Sequence, residues 1–390
     1  MNDSTITEPL AVTILRNARL ICPEDMGVGH VMLIHSRIHR VSSESFDAPS
    51  GVGPVDEIDL AGDYLIPGLV DGHVHFLGGG GEGGPQTRTP EISLTTLTLA
   101  GVTSAVGVLG TDGTTRSLPS LLTKARALEI EGITTRAYTG AYQLPTPTVT
   151  GAVRDDIMLV DRFIGAKVAM SDHRSSQPGI RDLRHLASEC RVGGMLGGKA
   201  GLMHVHVGSS EAGLDPLFRL VRETEIPAGN LYPTHVGRSK RLLEAAAEFT
   251  RLGGPVDVTA GDEAASRVQY LLESGARQDL VTISSDGNGS KPRFDENGNY
   301  AGLGVGSPDT LLQTVRGLVG AGVPLSTAVA MCTSNPAGIL NLRGRGTIGV
   351  GAFADLVCLT RSDLEVRHVW SGGRTMVRDS RPVVLGTFEG

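Results

Sequence analysis

The sequence predicts an α/β protein: a (β/α)8 TIM-like barrel with a small β domain built from both chain ends. Three observations predict it. From residue 65 to 344, β-branched apolar stretches alternate with amphipathic ones eight times over roughly 270 residues, the size of such a barrel. The flanks, 1–64 and 345–390, read instead as short strands joined by tight turns, most simply paired as one unit. No G-x-G-x-x-G stands at the first βα turn, which lowers the competing doubly wound sheet.

In chain order, the clearest flanking strands are 11–15, 30–34 and 37–41, then 354–359, 366–370 and 374–377. The barrel strands are 69–76, 103–110, 134–142, 165–171, 201–208, 228–236, 256–260 and 280–286. Between them, stretches such as 118–130, 182–190 and 240–249 carry apolar residues at helical spacing. The apolar run from Tyr64 to Val70 reads as one buried strand leading into Asp71-Gly72-His73-Val74-His75. Side chains alternate along a strand, so His73 and His75 face the same way, roughly 6.6–7 Å apart.

Composition narrows the function classes. Hydrophobic residues at 40% and charged residues at 20% suit a globular enzyme. A net charge of −7 argues against nucleic acid or an anionic membrane as partner. No basic segment followed by an apolar core opens the chain, and no run of about 18 apolar residues spans a bilayer, so a cytoplasmic location is expected. Cys22, Cys190, Cys332 and Cys358 lie far apart without C-x-x-C spacing and read as free thiols.

The strand ends carry the chemistry. Lys167 sits inside the apolar strand Gly165-Ala166-Lys167-Val168, where an ammonium is costly. It reads either as a snorkelling lysine or as a neutral amine that adds carbon dioxide to become a bridging carbamate. His204-Val205-His206 repeats the HxH pattern, with His206 nearer the loop and His204 a core histidine one layer deeper. His235 lies near the end of the sixth strand, and Asp286 enters the glycine loop after the eighth. Each residue alone has an ordinary structural explanation. A barrel, however, gathers these ends into one mouth. Together they suit two divalent metals sharing a hydroxide and a carbamate, with zinc favoured by the imidazole count.

These motifs resemble the amidohydrolase superfamily, and within it the isoaspartyl (β-aspartyl) dipeptidases. The resemblance covers nearly the whole chain. It is carried by Asp71-Gly72-His73-Val74-His75, Gly78-Gly79-Gly80-Gly81-Glu82-Gly83-Gly84-Pro85, Arg88-Thr89-Pro90-Glu91, Gly107-Val108-Leu109-Gly110-Thr111-Asp112 and Thr139-Gly140-Ala141-Tyr142. It continues through Ile164-Gly165-Ala166-Lys167, Ser171-Asp172-His173-Arg174-Ser175, Pro233-Thr234-His235-Val236 and Ser284-Ser285-Asp286-Gly287-Asn288-Gly289-Ser290. The resemblance implies His73, His75 and Asp286 on one metal, His206 and His235 on the other, and carboxylated Lys167 bridging both. It also implies a β-sandwich-like small domain and a homo-oligomer, often an octamer. His204 lies outside the family ligand set, and the segment from Thr259 to Ala265 is shortened.

Charge at the mouth points to the substrate. Glu82 is the carboxylate of the glycine loop, while Arg174 and Arg238 follow the strands bearing Lys167 and His235. One anion and two cations suit a β-aspartyl dipeptide, which carries one ammonium and two carboxylates. The resemblance adds Gly80, Thr111 and Ser290 as substrate contacts. In the expected reaction, hydroxide bridging the metals attacks the isopeptide carbonyl, Tyr142 holds the oxyanion, and Asp286 acts as base and then acid. The loop 143–151 after Tyr142 is a candidate lid. Rival readings are a dihydroorotase- or hydantoinase-like cyclic amidase, a mononuclear deaminase, and a non-catalytic scaffold. Glu82 disfavours the first, Lys167 the second and the full ligand set the third.

Overall fold

The apolar run from Tyr64 to Val70 is two strands, not one. Pro67 has no N–H to donate, and Gly68 packs so closely on Thr103 that a Cβ there would lie 2.1 Å from the threonine Oγ1. The chain crosses at this point from one sheet to another. The computed structural model describes residues 12–51, 53–294 and 300–390. The expectations for residues 1–11, including the start of the first strand, lie outside them.

The chain forms β1 (Val12–Cys22), β2 (Glu24–Ile34), β3 (Arg37–Ser42), β4 (Val55–Asp59) and β5 (Tyr64–Pro67). Next come β6 (Leu69–Val74), β7 (Val102–Gly107), β8 (Thr134–Gly140), β9 (Phe163–Met170) and β10 (Leu202–Val207). They are followed by β11 (Leu231–Thr234), β12 (Val256–Thr259), β13 (Val281–Ser284), β14 (Ser290–Phe294) and β15 (Tyr300–Val305). The last are β16 (Leu356–Leu359), β17 (Val366–Ser371), β18 (Arg374–Arg378) and β19 (Arg381–Pro382).

Strands from both chain ends share one sheet of order β19-β18-β17-β16-β5-β1-β2-β3, with β4 also parallel to β1. The join is β5, parallel to β1 and antiparallel to β16 through Leu65 and Cys358. Alternation along β1 serves both faces of this sheet. Leu15, Leu20, Leu33, Leu65 and Trp370 pack on one face, and Val12, Ile14, Met32 and Phe46 on the other.

β6 to β11 form a six-stranded parallel sheet in sequence order, and β12 pairs in parallel with β13. A strand therefore stands at each of the eight expected places, in a six-stranded sheet and a separate pair. Side-chain and backbone hydrogen bonds cross the two gaps. Between β11 and β12, Thr234 Oγ1 donates to Asp257 Oδ2 at 2.6 Å. Between β13 and β6, the Ser285 N–H donates to Asp71 at 3.1 Å and the His75 N–H to the Gly287 carbonyl at 2.8 Å. Asp257 also accepts from Thr282 at 2.9 Å and Ser284 at 2.6 Å, and burial pushes its carboxyl up to about 7.

The expected helix at 118–130 is Leu118–Glu131. Ser117 caps it by accepting from the Ser120 N–H, and Gly132 at φ 137° ends it. Leu118, Leu121, Leu122, Ala125 and Leu128 form its buried stripe. The stretch at 240–249 is the helix Lys240–Arg251, capped by Ser239. The stretch at 182–190 grows to Ile180–Gly197. The hairpin β14–β15, entered directly from the Asp286 loop, has no counterpart among the expected elements. Cys190, Cys332 and Cys358 are free and buried, whereas the thiol of Cys22 lies outside the described side chains. Among the described residues, no helix is long and apolar enough to cross a membrane.

Candidate active site

His73 is the last residue but one of the buried strand β6, and His75 follows just beyond its end. Gly110 and Gly79 leave room for the His75 ring, since a Cβ at Gly110 would fall 2.9 Å from His75 Cε1. Asp286, at φ 52°, turns out of the eighth strand to meet them. Its Oδ1 lies 3.5 Å from His73 Nε2 and 3.2 Å from His75 Nε2. One ligand atom from each residue falls within 4.8 Å of the others, as a metal ion requires. Burial opposes ionisation of Asp286, but the hydrogen bond from His75 and the charges of Lys291 and Lys167 outweigh it and lower the carboxyl.

Lys167 is fully buried on β9, with Nζ 3.2 Å from His73 Nδ1 and 3.3 Å from its Nε2. Burial pushes its ammonium down to about 7, against a weaker pull from Asp286 and Asp257. A substantial neutral fraction therefore exists at neutral pH, the form that reacts with electrophiles.

His206 and His235 stand beside this cluster with ring centroids 4.6 Å apart, and His235 lies 5.2 Å from His73. Asp172 Oδ2 is 2.9 Å from His206 Nε2 and can only accept, so His206 carries its proton on Nε2. Its Nδ1 is then a bare lone pair, to which the Tyr142 hydroxyl donates at 2.6 Å. His235 binds Thr259 through Nδ1 at 2.5 Å, leaving Nε2 for another partner. Burial lowers His206 to about 3 and His235 well below its ordinary value, so both rings are neutral, as metal ligation requires. The donor set is imidazole nitrogen, carboxylate and amine, and it fits transition-metal divalent cations better than calcium or magnesium.

The rim is made of charges. Glu82 accepts from Thr111 Oγ1 at 2.8 Å and from Arg174 Nη1 at 3.0 Å. Burial raises its carboxyl, but a backbone N–H, Thr111 and Arg174 outweigh that and lower it. Arg174 also forks onto Asp172 at 3.0 and 2.9 Å, and its guanidinium lies 5.5 Å from the Tyr142 ring centroid. Glu82 and Arg174, expected as separate substrate anchors, are thus paired with each other. Arg238, in the tight turn after His235, reaches within 3.5 Å of His206 Nε2. Gly80, Glu82 and Thr111 line a cavity of about 350 Å³ together with Arg88 and Asp112. Ser290 borders Gly80, where a Cβ would lie 3.1 Å from the serine Cβ.

Sequence reasoning missed three residues here. Asp172 orients His206 and holds Arg174; its only signal was its place between the Lys167 strand and Arg174. Arg116 is buried and donates to the Leu77 and Gly79 carbonyls, both at 2.9 Å, and so fastens the glycine loop that carries Glu82. Nothing in its sequence neighbourhood marks it. Asp156 accepts from the Val149 and Thr150 N–H groups and ties down the far end of the loop 143–151.

Comparison with known proteins places this geometry in context. The sequence profile of the amidohydrolase family matches residues 310–377. The crystal structure of a β-aspartyl dipeptidase from the thermophilic keratin-degrading Fervidobacterium islandicum AW-1, in complex with a β-Asp-Leu dipeptide, superposes with a TM-score of 0.88. It is 41% identical and covers 95% of this chain and 98% of its own. N-isopropylammelide isopropylaminohydrolase from Burkholderia multivorans shares the fold, with a TM-score of 0.65 at 19% identity over 96% of this chain and 100% of its own. Adenine deaminase of Nitratidesulfovibrio vulgaris is 26% identical over 84% of this chain, which spans only 52% of that protein's length.

Proposed function

This chain belongs to the β-aspartyl dipeptidases of the amidohydrolase superfamily, and on that premise we propose that it is a metal-dependent hydrolase of β-aspartyl (isoaspartyl) dipeptides. One observation carries the reading: an ionised Glu82, joined to Arg174, stands at the rim of the His73–His75–Asp286 cluster. A free ammonium suits Glu82, and the two carboxylates of such a dipeptide suit Arg174 and Arg238. Gly80, Thr111 and Ser290 line the same wall. Substrate then exchanges the internal Glu82–Arg174 pair for two new ones.

The metals are part of the proposal. His73, His75 and Asp286 would hold one, and His206 and His235 the other, with carboxylated Lys167 between them. When bound, two divalent cations, zinc by the donor chemistry, supply a water of lowered pKa and polarise the scissile carbonyl. Neutral Lys167 adds carbon dioxide through Nζ and releases a proton, which gives the carbamate anion. Asp286 takes the proton of the attacking water and passes it to the leaving amine. Tyr142 keeps its proton, because burial pushes the phenol well up, and donates a hydrogen bond to the oxyanion. Asp172 and Thr259 hold the His206 and His235 rings in place.

The architecture goes with this reading. Residues 65–344 form the (β/α)8 barrel, and residues 1–64 with 345–390 the sandwich-like β domain, with β5 carrying that sheet on to Pro67. The protein acts in the cytoplasm as a homo-oligomer, an octamer by family. Exposed Met158, Leu159, Met195 and Leu196, on two packed helices, support self-association. The test is hydrolysis of β-Asp-Leu beside α-Asp-Leu, dihydroorotate and hydantoin, with and without chelator. Cleavage of β-Asp-Leu alone, abolished by chelator and restored by zinc, is the expected result. Cleavage of a cyclic amide in preference to β-Asp-Leu would overturn the reading.

A further inference from the structure

We propose that the chain binds a small organic dianion, a phosphate monoester or a dicarboxylate, in a cavity at the end of the parallel sheet opposite the candidate metal ligands, with Arg136 as its central anchor. The site stands apart from the metal reading, and its occupancy is read as binding rather than turnover.

The cavity, of about 690 Å³, lies where β8, β9 and β10 begin. Such a volume suits a small molecule rather than a lone ion. His75, His206 and His235 stand at or beyond the other ends of their strands. The charges lining the cavity are unbalanced. Four cations, Arg126, Arg136, Arg162 and Lys199, face two carboxylates, Glu129 and Asp161, in a chain of net charge −7. Glu129 is spent on Arg162, its ion-pair partner. Asp161 is exposed, where water and salt screen it. Arg126 and Arg136 have no carboxylate within ion-pair distance among the described residues.

Arg136 is half-buried, and its guanidinium makes one hydrogen bond, from Nη1 to the neighbouring Thr135 carbonyl at 2.8 Å. Burial holds the group below its ordinary value, opposed by Glu129 and Asp161 and reinforced by Arg162. Arg345, itself spent on Asp355, repels Arg136 as well. A partly desolvated cation among like charges, with most of its donors unused, is stabilised by an incoming anion. Lys199 Nζ donates to the Ile157 and Val160 carbonyls at 2.6 and 2.7 Å, which fixes the ammonium at the wall and leaves a further N–H for a ligand.

The rest of the wall is apolar. Leu159, Ile164 and Leu340 line it, and the last two belong with Tyr138 to one buried cluster. Arg136 and Tyr138 share a face of β8, so the guanidinium is set beside this aliphatic surface. Cations on one side and aliphatic carbon on the other match a charged head group on a short carbon body. A guanidinium fork takes phosphate and carboxylate alike.

The experiment is isothermal titration of zinc-supplemented protein with phenyl phosphate and with succinate, at an ionic strength held constant with chloride. One saturable site per chain is expected for at least one of them, and the tighter of the two names the head group. Arg136→Gln, folded by circular dichroism, should bind about 10–150-fold more weakly, the loss of one charge-assisted contact. Arg126→Glu, a change at an exposed helix position, should also weaken binding. No saturable binding of either ligand, or equal affinity in wild type and Arg136→Gln, would overturn the proposal, the second result by placing the ligand elsewhere, the metals included. Should Arg136→Gln not fold, Arg126→Glu decides by the same comparison.

Discussion

The floor and the rim of the site are both crowded with titratable groups, yet they are satisfied in opposite ways. On the floor, His206 and His235 are held by fixed partners, Asp172 and Thr259, and His73 lies against His204. The second His206 nitrogen meets the Tyr142 hydroxyl at 2.6 Å. At the rim, Glu82 and Arg174 satisfy each other across a 3.0 Å contact that a zwitterionic ligand can replace. On the proposed reading, the floor is built for a cation that stays, and the rim is paired until a substrate displaces it. Asp172 joins the two, binding His206 with one oxygen and Arg174 with both.

Substitutions can break this contrast. The largest effect is expected for Asp286→Asn, which removes the proton carrier: kcat should fall by about 10²–10⁴-fold, measured with β-Asp-Leu. Tyr142→Phe should lower kcat by about 10²–10³-fold with metal content unchanged, since the hydroxyl serves the oxyanion. Equal turnover in that variant would remove Tyr142 from the chemistry. Glu82→Gln acts on the rim alone. Loss of one charge-assisted contact, about 1.5–3 kcal/mol, should lower kcat/KM by about 10–150-fold, mostly through KM, with metal content unaffected. A fall in bound zinc would show that rim and floor are not separable.

The smallest expected effect lies below the floor. Burial raises Asp257 to about 7 and Asp71 to about 6, so the folded chain holds protons that the unfolded chain releases near 4. Each contribution is fully present below the unfolded value and is lost as pH rises through the folded one. Lys167, lowered to about 7, runs the other way: its contribution is present above the unfolded value near 10.5 and is lost as pH falls toward 7. Chemical denaturation of the metal-free protein should therefore show a shallower fall in stability between pH 4 and 7 for Asp257→Asn than for wild type. An identical slope would mean that Asp257 is ionised in the fold.

Much of this was legible in the sequence because barrel strands are short, apolar and buried, and because a ligand must stand at a strand end. His73, His75, His206, His235 and Asp286 stand at or next to strand ends, whereas Lys167 lies inside β9. What could not be read were relations between distant segments. The run from Tyr64 to Val70 has one continuous apolar pattern, and the close approach of Thr103 to Gly68, beside Pro67, shows why it splits. The hairpin β14–β15 is too polar and glycine-rich to register as strands. The pairing of Glu82 with Arg174 joins loops 92 residues apart, and Arg116 reaches carbonyls, which leave no trace in composition. His204 has no periodic signal that would place its ring 3.0 Å from His73.

Anomalous diffraction at the zinc edge from metal-loaded protein tests the central claim most directly. The account predicts one peak among His73, His75 and Asp286, a second between His206 and His235, and density for a carboxyl group on Lys167 Nζ joining them. A metal-replete crystal with no peak among these residues, and an unmodified Lys167 turned away from the imidazoles, would contradict it.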